Sequence, residues 1–125
     1  MLKTLHANLA LNDFRNVTVH AVGLGDKPGS IPFFEPADAY QGGGSFREDG
    51  HDGKGQKRGA DLPVVTGDSI LANAGPIGSM KIDIEGFEEA ALKGLRQTLE
   101  THRPLVVAEV STPPAGTISS MEQLK

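Results

Sequence analysis

The stretch Lys81-Ile-Asp-Ile-Glu-Gly-Phe-Glu88, with the run to Glu109 behind it, decides how this chain is read. Residues 79–84 predict a buried strand that delivers two carboxylates, Asp83 and Glu85, at its carboxyl end. Phe87 to His102 predict a helix, because Phe87, Ala91, Leu95 and Leu99 fall on one stripe with Leu92 beside it. Glu88 and Glu89 in its first turn, and His102 and Arg103 at its end, suit the helix dipole. Pro104 stops it. Leu105 to Val110 is apolar except for Glu109, the pattern of a strand buried on both faces. Strand, helix and strand in this order make a βαβ unit, with parallel strands and a right-handed crossover. In open α/β sheets ligands bind beyond the carboxyl ends of strands, so acids placed there are candidates for chemistry.

Upstream the pattern is less regular. Met1 to Asn12 reads as a short amphipathic helix carrying Leu2, Leu5 and Leu9 on one face. Asn16 to Leu24 has the β-branched character of a strand. Asp26-Lys-Pro-Gly29 is a turn, and Ser30 to Glu35 a short strand returning as a hairpin. Pro36 to Asp61, rich in glycine and polar residues, reads as one long mobile loop. Leu62 to Thr66 is a short extended piece, and Asp68 to Asn73 a short helix. Ser119-Ser-Met-Glu122 is a capping-box pattern for a further helix.

The 125 residues suffice for one modest core. Twelve basic against sixteen acidic residues give a net charge of −4, which argues against non-specific nucleic-acid binding. Without cysteine there is no disulfide, zinc–thiolate site or thiol nucleophile. No apolar run reaches the length of a membrane span, and the N-terminus lacks a signal-peptide pattern, so a cytoplasmic protein without membrane partners is expected. His6, His20, His51 and His102 show no metal-ligand spacing. The Gly42–Gly44 run does not join a strand to a helix, so it is no phosphate loop. No nucleophile-elbow pattern supports a hydrolase.

The 81–88 motif, Leu92-Lys-Gly-Leu95, Arg103-Pro104 and the strand ending in Glu109 together resemble the FkbM-type family of S-adenosylmethionine-dependent methyltransferases. Upstream, Leu9-Ala-Leu-Asn12, Asn16-Val-Thr-Val19, Leu24-Gly-Asp26 and Gly43-Gly-Ser45 follow in that family's order. The resemblance implies an α/β, Rossmann-like class I methyltransferase fold, a mostly parallel sheet with flanking helices. It also implies that this chain is partial and incomplete at both ends. Residues 1–110 would be the middle and C-terminal part of the domain, with a flexible loop at about 36–61, and 111–125 a linker and truncated helix. The strand and glycine-rich turn that cradle the cofactor would precede Met1. The isolated chain is then expected to bind S-adenosylmethionine poorly and to be inactive, with its strand at 16–24 lacking a neighbour.

Methyl transfer to oxygen requires an acceptor hydroxyl held in line with the methyl group and a base for its proton. Asp83 is the expected base or orienting group; binding a divalent cation and bracing the turn before the helix are its alternatives. Glu85 would share the face of Asp83 if the strand continues, or act as an acid at the helix N-terminus. Glu88 reads as a first-turn helix acid rather than a ligand. Lys81 is expected either to neutralise a buried acid near the substrate or to be solvated. Glu109 interrupts an apolar strand and is the third catalytic candidate, since a carboxylate there needs a partner or a cleft. By resemblance Gly25 and Asp26 would lie at the cofactor, with a plain turn residue as the alternative for Asp26. Ser45 would face the substrate or simply belong to a flexible run. The implied acceptor is a hydroxyl on a sugar or natural-product-like small molecule. A non-catalytic α/β binding module derived from such an enzyme is the competing expectation; oligomeric state is left open.

Overall fold

A computed structural model describes residues 2–36, 44, 56–84 and 86–109. The elements in chain order are α1 (Leu2–Leu11), β1 (Gly23–Leu24), β2 (Gly29–Pro36), β3 (Gln56–Val65), α2 (Gly67–Leu71), β4 (Ser79–Ile82), α3 (Glu88–Lys93), α4 (Arg96–His102) and β5 (Leu105–Ala108). They form a small α/β structure with mixed sheets. One sheet has the order β1-β3-β2, the other pairs β4 with β5. Within the first, β1 runs parallel to β3, and β2 antiparallel to it. Within the second, β4 and β5 are parallel, from Ser79 opposite Leu105 to Ile82 opposite Ala108. The parallel pairing expected of the βαβ unit is therefore present.

Several expectations are corrected. Asn16 to Leu24 is not a full strand; only Gly23 and Leu24 pair, with Val64 and Val65. The rest pairs with no strand among the described residues, and Val17 lies exposed. β2 does form, but its antiparallel partner is β3 rather than the segment just before it. β3 begins at Gln56, so Gln56 to Asp61 are strand where a loop was expected; in pairing with β2 their backbone groups find partners that polarity alone does not reveal. The loop centre, apart from Gly44, and residues 110–125 with their capping-box pattern, lie outside the described residues.

The expected single helix over 87–102 is two helices, and the break has an identifiable cause. In an uninterrupted helix the Thr98 N–H would donate to the Gly94 carbonyl. Here the Gly94 carbonyl instead accepts from the Asp68 N–H at 2.9 Å. The Asp68 carboxylate accepts in turn from the N–H of Thr98 at 2.8 Å, the Thr98 hydroxyl at 2.7 Å and the N–H of Gln97 at 3.0 Å. One residue of α2 thus caps the start of α4 and holds the end of α3, an exchange between residues thirty apart. Partial burial works to raise the Asp68 pKa, but the hydrogen bonds from the Thr98 side chain and from the Thr98 and Gln97 backbone outweigh it and hold the carboxyl below its ordinary value.

The core lies between the β4–β5 sheet and the α3–α4 pair. Ile82, Ala91 and Leu95 are its buried centre, with Leu24, Leu71, Met80, Ile84, Leu92, Leu99, Val106 and Ala108 packed around it. The stripe read from the sequence is therefore the packed one. The expectation that Leu105 to Val110 is buried on both faces is overturned. Val106 and Ala108 face the helices, whereas Leu105 is 70% and Val107 56% exposed, because no described element covers the other side of this sheet.

Candidate active site

Alternation along β4 assigns the acids their face. Ile82 points into the core, so Lys81 and Asp83 stand on the open face. Lys81 Nζ and Asp83 Oδ2 are 2.6 Å apart, with side chains 70% and 45% exposed. Lys81 therefore does not neutralise a buried acid; it is the solvated partner of an exposed one. The Asp83 hydrogen bond first, and its charge second, raise the Lys81 pKa. Glu109 lies at the carboxyl end of the neighbouring strand and is half-buried. Its N–H donates to the Ile82 carbonyl at 3.2 Å, which carries the parallel pairing one step beyond β5 and sets Glu109 beside the Asp83 position. Glu85 and Ser45 lie outside the described residues.

The turn leading from Asp83 into α3 is braced, but not by Asp83. Glu88 is fully buried and reaches back: its Oε1 accepts from the Ile84 N–H at 3.0 Å and the Gly86 N–H at 3.3 Å, and its Oε2 accepts from Gly86 at 3.1 Å. Gly86 has φ 95°, a region that L side chains rarely adopt. The expected first-turn acid is thus the internal brace. Its sequence signal is an acid two positions after a glycine at a strand-to-helix turn, which reads equally well as a dipole-stabilising residue.

Gly25 and Asp26 follow β1 and come close to the same turn. The Gly25 N–H donates to the Val65 carbonyl at 3.0 Å. A Cβ at Gly25 would meet Val64 Cγ1 at 2.8 Å and the Phe87 ring at 3.5 Å, so the Gly25 backbone and Phe87 are close neighbours. A Cβ at Gly94 would collide with the Gly25 carbonyl, so α3 ends against the loop that carries Asp26. Lys93 pairs with Glu89 at 2.7 Å. The Glu89 hydrogen bond, then its charge, and then the charge of Asp26 raise the Lys93 pKa, which puts Asp26 within electrostatic reach of α3.

The structure therefore brings Gly25 and Asp26 to one side of the 83–88 turn, and Lys81, Asp83 and Glu109 to the ends of the two parallel strands. Phe87, Glu88, Gly94 and Asp68, which hold these parts together, were not among the expected site residues. Among the described residues no group of three or more His, Cys, Asp or Glu could hold a metal ion. No helix there is long and apolar enough to cross a membrane.

No curated protein and no solved structure matches the chain. Residues 2–124 match the family model described as Methyltransferase FkbM domain, which takes in both sheets, the turn at 83–88 and the junction at Gly94. The match extends over nearly the whole sequence, and the chain belongs to the FkbM methyltransferase family.

Proposed function

We propose that the chain belongs to an S-adenosylmethionine-dependent methyltransferase whose acceptor is a hydroxyl group of a sugar or natural-product-like small molecule. The observation that carries this reading is the family match over residues 2–124, together with a carboxylate, Asp83, at the carboxyl end of a core strand. The donor set suits the cofactor. S-adenosylmethionine presents a sulfonium, an ammonium group and ribose hydroxyls, which pair with acceptor oxygens, and carboxylates stand at the ends of β4 and β5 (Asp83 and Glu109) and after β1 in the other sheet (Asp26). When bound, the cofactor supplies an electrophilic methyl group. Gly25 and Asp26 would hold it, and Asp83 would accept the proton of the acceptor hydroxyl or orient it, with Glu109 beside it. Lys81 would hold Asp83 in place through their ion pair; Glu85 and Ser45 are the further contacts proposed.

The test uses the polypeptide encoded by the complete reading frame. Calorimetric titration with S-adenosylhomocysteine reports cofactor binding, and transfer of labelled methyl groups to a panel of hydroxyl acceptors reports activity. Asp83→Asn is expected to lower kcat by roughly 100-fold or more, as for loss of a general base. A second reading, a non-catalytic binding module, draws support from the exposure of Asp83 and its pairing with Lys81. Absence of cofactor binding by the wild type would favour it.

A further inference from the structure

Glu88 is the buried titratable group that the proposed chemistry does not use. Burying a carboxylate is costly unless hydrogen bonds compensate. Its compensation is specific: the N–H groups of Ile84 and Gly86, and no cation among the described residues. Starting a short helix requires no such arrangement, since an exposed Ser, Thr or Asp at the N-cap serves as well. The N-cap residue here is Phe87, which makes no side-chain capping bond.

The placement of the two bonds is informative. The bond to Ile84 pins the peptide immediately after Asp83. The bonds to Gly86 hold the residue with positive φ. Beyond it Phe87 lies beside Gly25. One carboxylate thus ties the residue proposed as base to the loop proposed to meet the cofactor. We propose that Glu88 is a positioning residue for methyl transfer: its buried carboxylate fixes the 84–86 turn, and through it the direction of Asp83 relative to the Gly25–Asp26 loop. This rests on the methyltransferase reading of the site.

Two variants separate reach from charge. Glu88→Gln keeps Oε1 for Ile84 and, at the longer 3.3 Å contact, for Gly86, but loses the charge and the Oε2 acceptor of the 3.1 Å Gly86 bond. Glu88→Asp keeps the charge but is one methylene too short. Amide hydrogen exchange is followed at Ile84 and Gly86, with Leu99 of α4, whose N–H donates to the carbonyl of the N-cap residue Leu95, as reference. Exchange at both turn amides is expected to accelerate by about tenfold or more in Glu88→Asp; in Glu88→Gln it is expected to change far less at Ile84 and to accelerate in part at Gly86, with Leu99 unchanged. In the polypeptide of the complete reading frame, kcat is expected to fall roughly 10- to 100-fold in Glu88→Asp and to be largely retained in Glu88→Gln, with KM for S-adenosylmethionine within about twofold.

Three results overturn the proposal: uniform acceleration that includes Leu99, faster exchange at the turn with unchanged kcat, or a larger kcat loss in Glu88→Gln than in Glu88→Asp. A wild type that transfers no methyl group overturns the methyltransferase reading instead. The exchange comparison then still decides whether Glu88 holds the turn.

Discussion

Leu95 and Leu11 both lie at a helix end, yet Leu95 is 3% exposed and Leu11 84%. The region around Leu95 is joined from every side. Ile82 and Ala91 pack with it, Gly67 lies so close that a Cβ there would collide with its side chain, and Asp68 caps the helix that follows. Residues 2–22 have comparable local signals: three leucines at helical spacing in α1, then alternating valines. None of the α1 residues is buried, and only the last two residues of the strand-like run pair. Local pattern makes a helix possible; removal of apolar area from water by a partner makes it stable. The first region has its partners among the described residues and the second does not.

Substitutions can test this contrast in urea or thermal unfolding. Leu95→Ala is expected to cost about 2–5 kcal/mol, the range for emptying a packed core site. A loss under about 1 kcal/mol would mean that the core is not centred where the burial puts it. Gly94→Ala is expected to cost about 1–3 kcal/mol, because the new methyl group meets the Gly25 carbonyl, a backbone atom that cannot rotate away. Gly75→Ala, with open space around it, is its control and should change little.

Asp68→Ala is expected to cost about 1 kcal/mol, as for loss of a helix cap. This effect carries a pH signature. The folded pKa of Asp68 lies below its ordinary value of 3.8. Its contribution is therefore complete above the unfolded value and is lost as pH falls through the folded one. The stability gap between wild type and Asp68→Asn should hold above about pH 5 and shrink below about pH 4. A gap that instead widened on acidification would contradict the assigned hydrogen bonds.

The smallest effects belong to the open surfaces. Leu11→Gln and Leu105→Gln should each stay within about 0.5 kcal/mol, as for exposed sites away from packing. A loss above about 2 kcal/mol at Leu105 would show that its face is covered in solution.

Much of the C-terminal half was legible in the sequence. Helical spacing identified the stripe through Ala91 and Leu95, Pro104 marked its end, and the βαβ order gave the parallel pair. Asp83 was readable as an acid at a strand end because strand alternation and the following glycine are local signals. The roles of Glu88 and Asp68 were not legible. An acid in a first turn has the same local signature whether it faces water or reaches back to Gly86. The cap that Asp68 provides joins residues thirty apart, and no local pattern encodes it.

By itself the sequence determined where chain periodicity permits strands and helices, and which family the 81–88 motif resembles. Only the tertiary structure decided that the helix breaks at Gly94, that β3 rather than residues 16–22 completes the first sheet, and that one face of β5 stays open. These depend on which backbone groups and apolar faces find partners across the fold. Hydrogen bonding and burial are satisfied between distant residues, whereas propensity acts over a few neighbours.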